Sequence, residues 1–245
     1  MALQTSGAIS SSDVQGEFGG TNPISLSEYY SAATGVPATG NPISLSDFYG
    51  TANTVTFTYE LIGGGGGGGN GWDGGSGGGR AGSGGTSSIA SSEFTTITAS
   101  GGLGGRAGLY RPSGPTGGST SGVIGHASYY GSGGSAGANS GSNRRGGNAP
   151  SSSYGAGGGG GGGDNANSFA DSTGYRGEGG NQSNRITGTE TVLSGTTISI
   201  TIGGGGSGGS NGRHSGGSGA AGFAKITVDG VATNFTSSGT MTLTS

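Results

Sequence analysis

Chemistry-bearing residues are few and scattered in this sequence. It holds two His (His126 and His214), one Lys (Lys225) and no Cys. A metal centre or a nucleophile–base pair needs several ligating or titratable groups held together. Neither His has a partner at helical spacing, and the 12 Asp and Glu are dispersed, which leaves paired-carboxylate hydrolysis unsupported. No glycine run continues into the Gly-Lys-Ser/Thr of a phosphate loop. Asp164-Asn165 and Asp171 offer oxygens of the kind Ca²⁺ takes, but loop turns are the plainer reading. The expectation is a protein without catalytic residues, metal or cofactor.

Contact chemistry is better represented. Tyr110, Arg111, His126, Tyr129, Tyr130, Arg144, Arg145, Tyr154 and Tyr175 lie between glycine runs, among Ser and Asn, as do Trp72 and Phe169. Tyr, Trp and Arg give large contact area at low entropy cost, and Ser, Gly and Asn give adaptable hydrogen bonds. Tyr110, Tyr129 and Tyr130 sit in the longest stretches poor in glycine. The alternative is that these rings pack against the glycine segments or a neighbouring subunit.

Positioning such loops requires a scaffold, and the composition limits what it can be. Of 245 residues, 67 are Gly; only 27% are hydrophobic and 9% charged. Ordinary domains carry about 45–50% apolar and about 25% charged residues, so one large greasy core is excluded. A net charge of −3 with nine Lys and Arg argues against nucleic acid as a partner. No apolar run approaches the roughly 18–20 residues of a membrane span, and no basic start with an apolar core marks a signal peptide.

Glycine is unevenly spread: 7 fall in residues 1–62, 58 in residues 63–222 and 2 in residues 223–245. The first region repeats the pattern Ile-Ser-x-Ser-acid-apolar, at Ile9–Val14, Ile24–Tyr29 and Ile43–Phe48. Each copy predicts an extended lead-in and a helical turn. The second Ser would cap it, with the acid in the first turn, where it suits the helix dipole. Ile9, Ile24, Leu26, Tyr29, Ile43, Leu45 and Phe48 are the candidate docking residues of this small module, residues 1–50. A chance Ser-rich linker is the alternative.

Residues 51–245 form the second expected unit. Val55, Phe57, Tyr59 and Leu61 alternate with Thr56, Thr58 and Glu60, which predicts a half-buried strand. Phe94–Thr98 is a weaker strand. Thr191–Ile202 predicts a strand pair turning at Ser194-Gly195, or one bent strand. Ala224–Val228 and Val231–Phe235 around Asp229-Gly230 predict a hairpin with a type I′ turn, and Thr240–Thr244 a last strand. Strands thus bracket the glycine-rich stretch.

Collagen is excluded by the unbroken run Gly63–Gly69 and only six Pro. Two readings remain. One is a flexible Gly/Ser linker. The other is a lattice of polyproline-II helices, whose backbone groups point sideways and bond to neighbouring helices that only Gly lets approach. Candidate rods are Gly63–Gly69, Gly74–Gly79, Gly101–Gly108, Gly155–Gly163, Gly203–Gly209 and Gly216–Gly222. The fold class expected is mostly β with irregular structure: strands bracketing a polyproline-II lattice, behind a docking module with short helical turns. Rods and loops cover about residues 63–222, and closing strands residues 223–245.

This layout resembles the glycine-rich domains of phage tail-fibre tips and adhesins. The resemblance rests on Thr56–Ile62 leading into Gly63–Gly69, Ile198–Ile202 leading into Gly203–Gly206, and Ala224–Val228 as the closing strand. The N-terminal repeat is similar to a module of phage structural proteins with the pattern Gly-x-Ile-Ser-Leu-Ser-[Asp/Glu]. It matches at Gly7–Asp13, Asn22–Glu28 and Asn41–Asp47, with Ser11 for Leu in the first copy and Asn-Pro for Gly-x in the others. The resemblance implies a virion protein assembled in the host cytoplasm. The module would dock onto other virion proteins, and the contact residues named above would bind a host cell-surface receptor, protein or glycan. It also implies a homo-oligomer, with a trimer as one option because fibres are often trimers. The alternatives are a purely structural virion component (capsid fibre, decoration or tail protein) and an ice-binding polyproline-II bundle.

Overall fold

The computed structural model describes residues 2–71, 80–108, 125–137, 145–158, 160–161, 177–210 and 214–244. Among these residues the fold is mostly β: two four-stranded antiparallel sheets, one short helix and two 3-10 turns.

The helix α1 (Ser11–Phe18) and the turns Leu26–Tyr29 and Leu45–Phe48 are the three copies of the N-terminal repeat. The cap is the first Ser of each motif (Ser10, Ser25, Ser44), not the second as expected. The second Ser instead meets the first hydroxyl to hydroxyl, Ser10–Ser12 at 2.8 Å, Ser25–Ser27 at 2.6 Å and Ser44–Ser46 at 2.7 Å. Asp13 and Asp47 close capping boxes, and the two Ser10 bonds hold the Asp13 carboxyl below its ordinary value. In the middle copy Glu28 turns away to accept from Thr21. The apolar residue ending each motif points inward: Val14, Tyr29 and Phe48 are buried together, with Phe18 6.0 Å from Phe48. Ile9, Ile24, Leu26, Ile43 and Leu45 pack half-buried around them.

Sheet A has the order β4 (Arg185–Leu193), β1 (Thr54–Ile62), β6 (Phe223–Val228), β7 (Val231–Phe235). Sheet B has the order β3 (Ile97–Ala99), β2 (Ser87–Ala90), β5 (Thr197–Thr201), β8 (Gly239–Thr242). Val55, Phe57 and Leu61 of β1 enter one apolar cluster with Ile89, Ile198, Ile200, Ile226 and Leu243, so residues of both sheets share a core. β6 and β7 form the expected hairpin, with positive φ at Asp229 (48°) and Gly230 (78°) as a type I′ turn demands.

Three sequence readings need correcting. Thr191–Ile202 does hold two strands turning at Ser194-Gly195, but they do not pair with each other: β4 bonds to β1, whereas β5 crosses to the other sheet and bonds to β2 and β8. β4 also starts earlier, at Arg185, and runs through Gly188. The weak strand at Phe94–Thr98 shrinks to Ile97–Ala99, and its partner Ser87–Ala90 was not foreseen.

Glycine-rich segments run directly into or out of six strands. Those after β1, β3 and β5 leave the sheets; those before β2, β4 and β6 approach them. The segment after β1 is central, and residues 63–71 are all buried. Its N–H groups address three neighbours in strict rotation. Gly63, Gly66 and Gly69 donate to Asn184, Asn181 and Glu178; Gly64 and Gly67 donate to Gly85 and Gly82; Gly65, Gly68 and Gly71 donate to Ala220, Gly217 and His214. The partner numbers fall as the donors rise, so these are the three approaching segments, antiparallel to the central one. Its carbonyls accept with the same period from three parallel segments. Gly102, Gly105 and Gly108 bond to Gly64, Gly67 and Asn70; Gly206 and Gly209 to Gly65 and Gly68; Gly158 and Gly161 to Gly66 and Gly69. One segment thus has six bonded neighbours.

Side chains obey the same period. Exposed residues recur every third position in the outer segments: Arg80, Ser83 and Thr86; Leu103 and Arg106; Glu178, Asn181 and Asn184; Ser207 and Ser210. The central segment has no outward face and carries only glycine up to Asn70. The candidate rod Gly74–Gly79 lies outside the described residues, as do residues 159, 162 and 163 of the rod at 155–163. The approaching segments at 80–86 and 177–184 were not foreseen.

The packing sets a sharp contrast between two glycines. A Cβ on Gly64 would run into the carbonyl of Gly204, which is itself bonded to Gly85, whereas a Cβ on Gly204 meets nothing within 4 Å. Gly64→Ala is expected to lower unfolding stability by about 3 kcal/mol or more, because backbone rather than a flexible side chain must yield. Gly204→Ala should stay within about 0.5 kcal/mol of the parent. Denaturant titration of both variants checks this; equal effects would contradict the packing.

Candidate functional site

The face of sheet A turned away from the core is polar along most of its length. Alternation along β1 puts Thr56, Thr58, Glu60 and Ile62 on it. Register adds Thr191, Thr189, Thr187 and Arg185 from β4, and Phe223, Lys225 and Thr227 from β6. Thr56 and Thr191 confirm the facing, their hydroxyls 2.8 Å apart. Hydroxyl-bearing Thr suits such a face because β-branched residues fit a pleated, half-buried surface.

Residues 125–137 lay a tight turn over the end of this face nearest the glycine segments. Ser128 N–H donates to the Gly131 carbonyl at 2.8 Å, and the Ser128 hydroxyl accepts the Tyr130 N–H at 3.2 Å. Tyr129 and Tyr130 form the tip. Tyr130 turns down onto Phe223 (5.3 Å between centroids) and Tyr154 (5.6 Å), and Tyr154 stacks on Phe223 at 4.7 Å. Tyr129 remains 72% exposed. The Arg185 guanidinium lies over one face of its ring, 4.1 Å from the centroid.

Glu60 ties the tip to the sheet. One carboxylate oxygen accepts from Arg185 Nε at 2.5 Å and the other from the Tyr130 hydroxyl at 3.0 Å. Burial first, and then this bond to the carboxylate, push the Tyr130 phenol up to about 12. The Arg185 guanidinium is also raised, chiefly by its bond to Glu60. Beside this cluster Thr58, Glu60, Thr187, Thr189, Lys225 and Thr227 line an open groove of about 370 Å³.

Of the nine candidate contact residues, Tyr129, Tyr130 and Tyr154 come together here. Tyr129 is presented to solvent, while Tyr130 and Tyr154 chiefly build its support. His126 and Arg145 are exposed elsewhere in the glycine region. Tyr110, Arg111, Arg144 and Tyr175 lie outside the described residues. Among the docking candidates, Tyr29 and Phe48 are core residues of their own module, at 2% and 0% exposure. His214 is buried, and its carbonyl accepts from Gly71. Among the described residues no three His, Asp or Glu side chains gather as metal ligands, and no helix is long and apolar enough to cross a membrane. Glu60, Arg185, Lys225 and Phe223 were not singled out as contact residues from sequence; Glu60 and Lys225 lay on the polar phase of alternating strands, whereas Arg185 and Phe223 fell outside the strands expected. The chain matches no family model, no curated protein and no solved structure.

The raised Tyr130 phenol has a pH consequence. A group held protonated in the fold contributes stability below its unfolded value, about 10, and loses it as pH climbs through about 12. Melting temperature should therefore fall between pH 10 and 12, and less steeply in Tyr130→Phe. Identical slopes in the two proteins would show that Tyr130 is not held this way.

Proposed function

We propose that the chain is a non-enzymatic phage virion protein, a tail-fibre or adhesin subunit that binds a host cell-surface receptor through surface loops. The observation carrying this reading is the arrangement around residues 63–71. Strands emerge as glycine segments with a three-residue repeat, bonded only to neighbours, the layout expected of the resembling adhesin domains. On this reading the segments are polyproline-II helices, which take three residues per turn and have no internal hydrogen bonds. Such a lattice gives a stiff body without a large apolar core, suited to a slender fibre end. The N-terminal module, with its separate core, is the part that joins other virion proteins and copies of the chain.

Loop chemistry favours receptor contact over the other roles. The outward positions carry Arg80, Leu103, Arg106 and Glu178, mixed in size and charge, where an ice-binding face needs uniform small residues. A purely structural role leaves the exposed Tyr129 without a task.

The test is binding of the purified chain to cells of the host strain, beside a chain lacking residues 1–50, with antibody labelling of intact particles. The expected result is saturable binding by both proteins and label at fibre ends. No binding by folded protein, with label on the capsid, would leave the structural role instead.

A further inference from the structure

We infer that the outer face of sheet A is a binding groove for an acidic oligosaccharide, with Tyr129 as its stacking platform and Lys225 as its carboxylate anchor. This rests on the receptor-binding reading above and names a ligand class and a place for it: the sheet rather than the far ends of the glycine segments.

The platform comes first. An exposed Tyr ring is adaptable, but a ring with one face fixed is a surface. Arg185 occupies one side of Tyr129, Glu60 holds Arg185, and Tyr130 packs edge-on at 5.4 Å. The side away from Arg185 is left to meet the flat apolar face of a pyranose ring. The ordering entropy is met in the free protein, which favours binding.

Charge selects the ligand next. Lys225 faces Glu60 directly across the β1–β6 ladder. Yet both Glu60 oxygens are engaged by Arg185 and Tyr130, and no ion pair joins Lys225 to Glu60 among the described residues. The groove and the tyrosine cluster beside it therefore combine one spent carboxylate with two cations, Lys225 in the groove lining and Arg185 next to it, a net attraction for an anion. Besides Tyr59 and Gly188, the groove's remaining lining is Thr58, Thr187, Thr189 and Thr227, whose hydroxyls both donate and accept. Hydroxyl groups in number, one aromatic face and one unspent cation fit a carboxylated sugar better than a protein loop, which would want apolar pockets for anchor side chains. Lys225 lies two strands from β4, about 10 Å at the usual strand spacing, so the ligand must be longer than one sugar ring.

The experiment is a printed array of carboxylated bacterial oligosaccharides with matched neutral counterparts. It is probed with the full chain, Tyr129→Ala, Lys225→Gln, and Arg106→Ala as a control away from the groove. Circular dichroism and melting establish that each protein is folded. The expected result is binding confined to carboxylated spots, weakened at least about tenfold in the Tyr129 and Lys225 variants, unchanged in Arg106→Ala, and reduced by salt. Binding to neutral spots alone, binding indifferent to both groove substitutions, or no binding to any spot would overturn the groove. Cell binding by the same proteins separates the two claims. If cells are bound equally by parent and groove variants, the receptor-binding reading stands and the groove falls; if folded parent binds no cells, both fall.

Discussion

Every backbone N–H and C=O buried in this protein needs a partner, and in residues 63–69 no side chain exists to help. The rest of the structure follows from that constraint. A central segment can satisfy its groups only if neighbours stand at hydrogen-bonding distance on all sides, and only glycine lets six of them do so. Cβ atoms on Gly64, Gly65, Gly66, Gly67 and Gly69 would each strike a carbonyl of a parallel neighbour. Ordering glycine is costly, about 1–2 kcal/mol per residue for the backbone, and each hydrogen bond nets only about 1 kcal/mol. Such a lattice is therefore not self-starting and needs its segments held in register from outside.

The two sheets provide that register. Strand direction alternates along the chain, so leaving and approaching segments alternate too: the three approaching segments run antiparallel to the central one and the two other leaving segments parallel to it, while its third parallel neighbour, holding Gly158 and Gly161, follows no strand among the described residues. Ser87 marks the junction: its buried hydroxyl donates to the Ile62 carbonyl and accepts from Gly203 N–H, linking the ends of β1, β2 and β5 where their glycine segments meet. The modest apolar supply is spent where it matters, in the shared core of Phe57, Leu61, Ile89, Ile198, Ile200 and Ile226. Rigidity at that junction also serves the candidate binding surface. Phe223 and Arg185 begin their strands immediately after glycine segments, so the tyrosine tip rests on residues whose positions are fixed from both directions.

Much of the scaffold was legible in sequence because it is built from local signals. Alternation marked β1, Asp229-Gly230 marked the β6–β7 hairpin, and the Ile-Ser repeat marked the module, although which Ser caps depends on geometry within the motif. The start of β4 was hidden by Gly188, which reads as a strand breaker. Ser87–Ala90 was hidden by its length and its single large apolar residue. The three-residue rhythm was present in Ser207-Gly208-Gly209-Ser210 and Leu103-Gly104-Gly105-Arg106. It shows when one follows the side chains rather than the glycines. The site was least legible. Glu60 and Arg185 are 125 residues apart, and their meeting depends on the β1–β4 register, which no local pattern discloses.

Hydrogen exchange resolved at the glycine amides is the most direct measurement of a backbone-bonded core. The amides of Gly64 to Gly69 are expected to be as protected as those of Phe57 to Leu61 in β1, opening only with global unfolding. Exchange of these glycines at the rate of an unstructured chain, with β1 still protected, would contradict it and reduce the region to a flexible linker between strands.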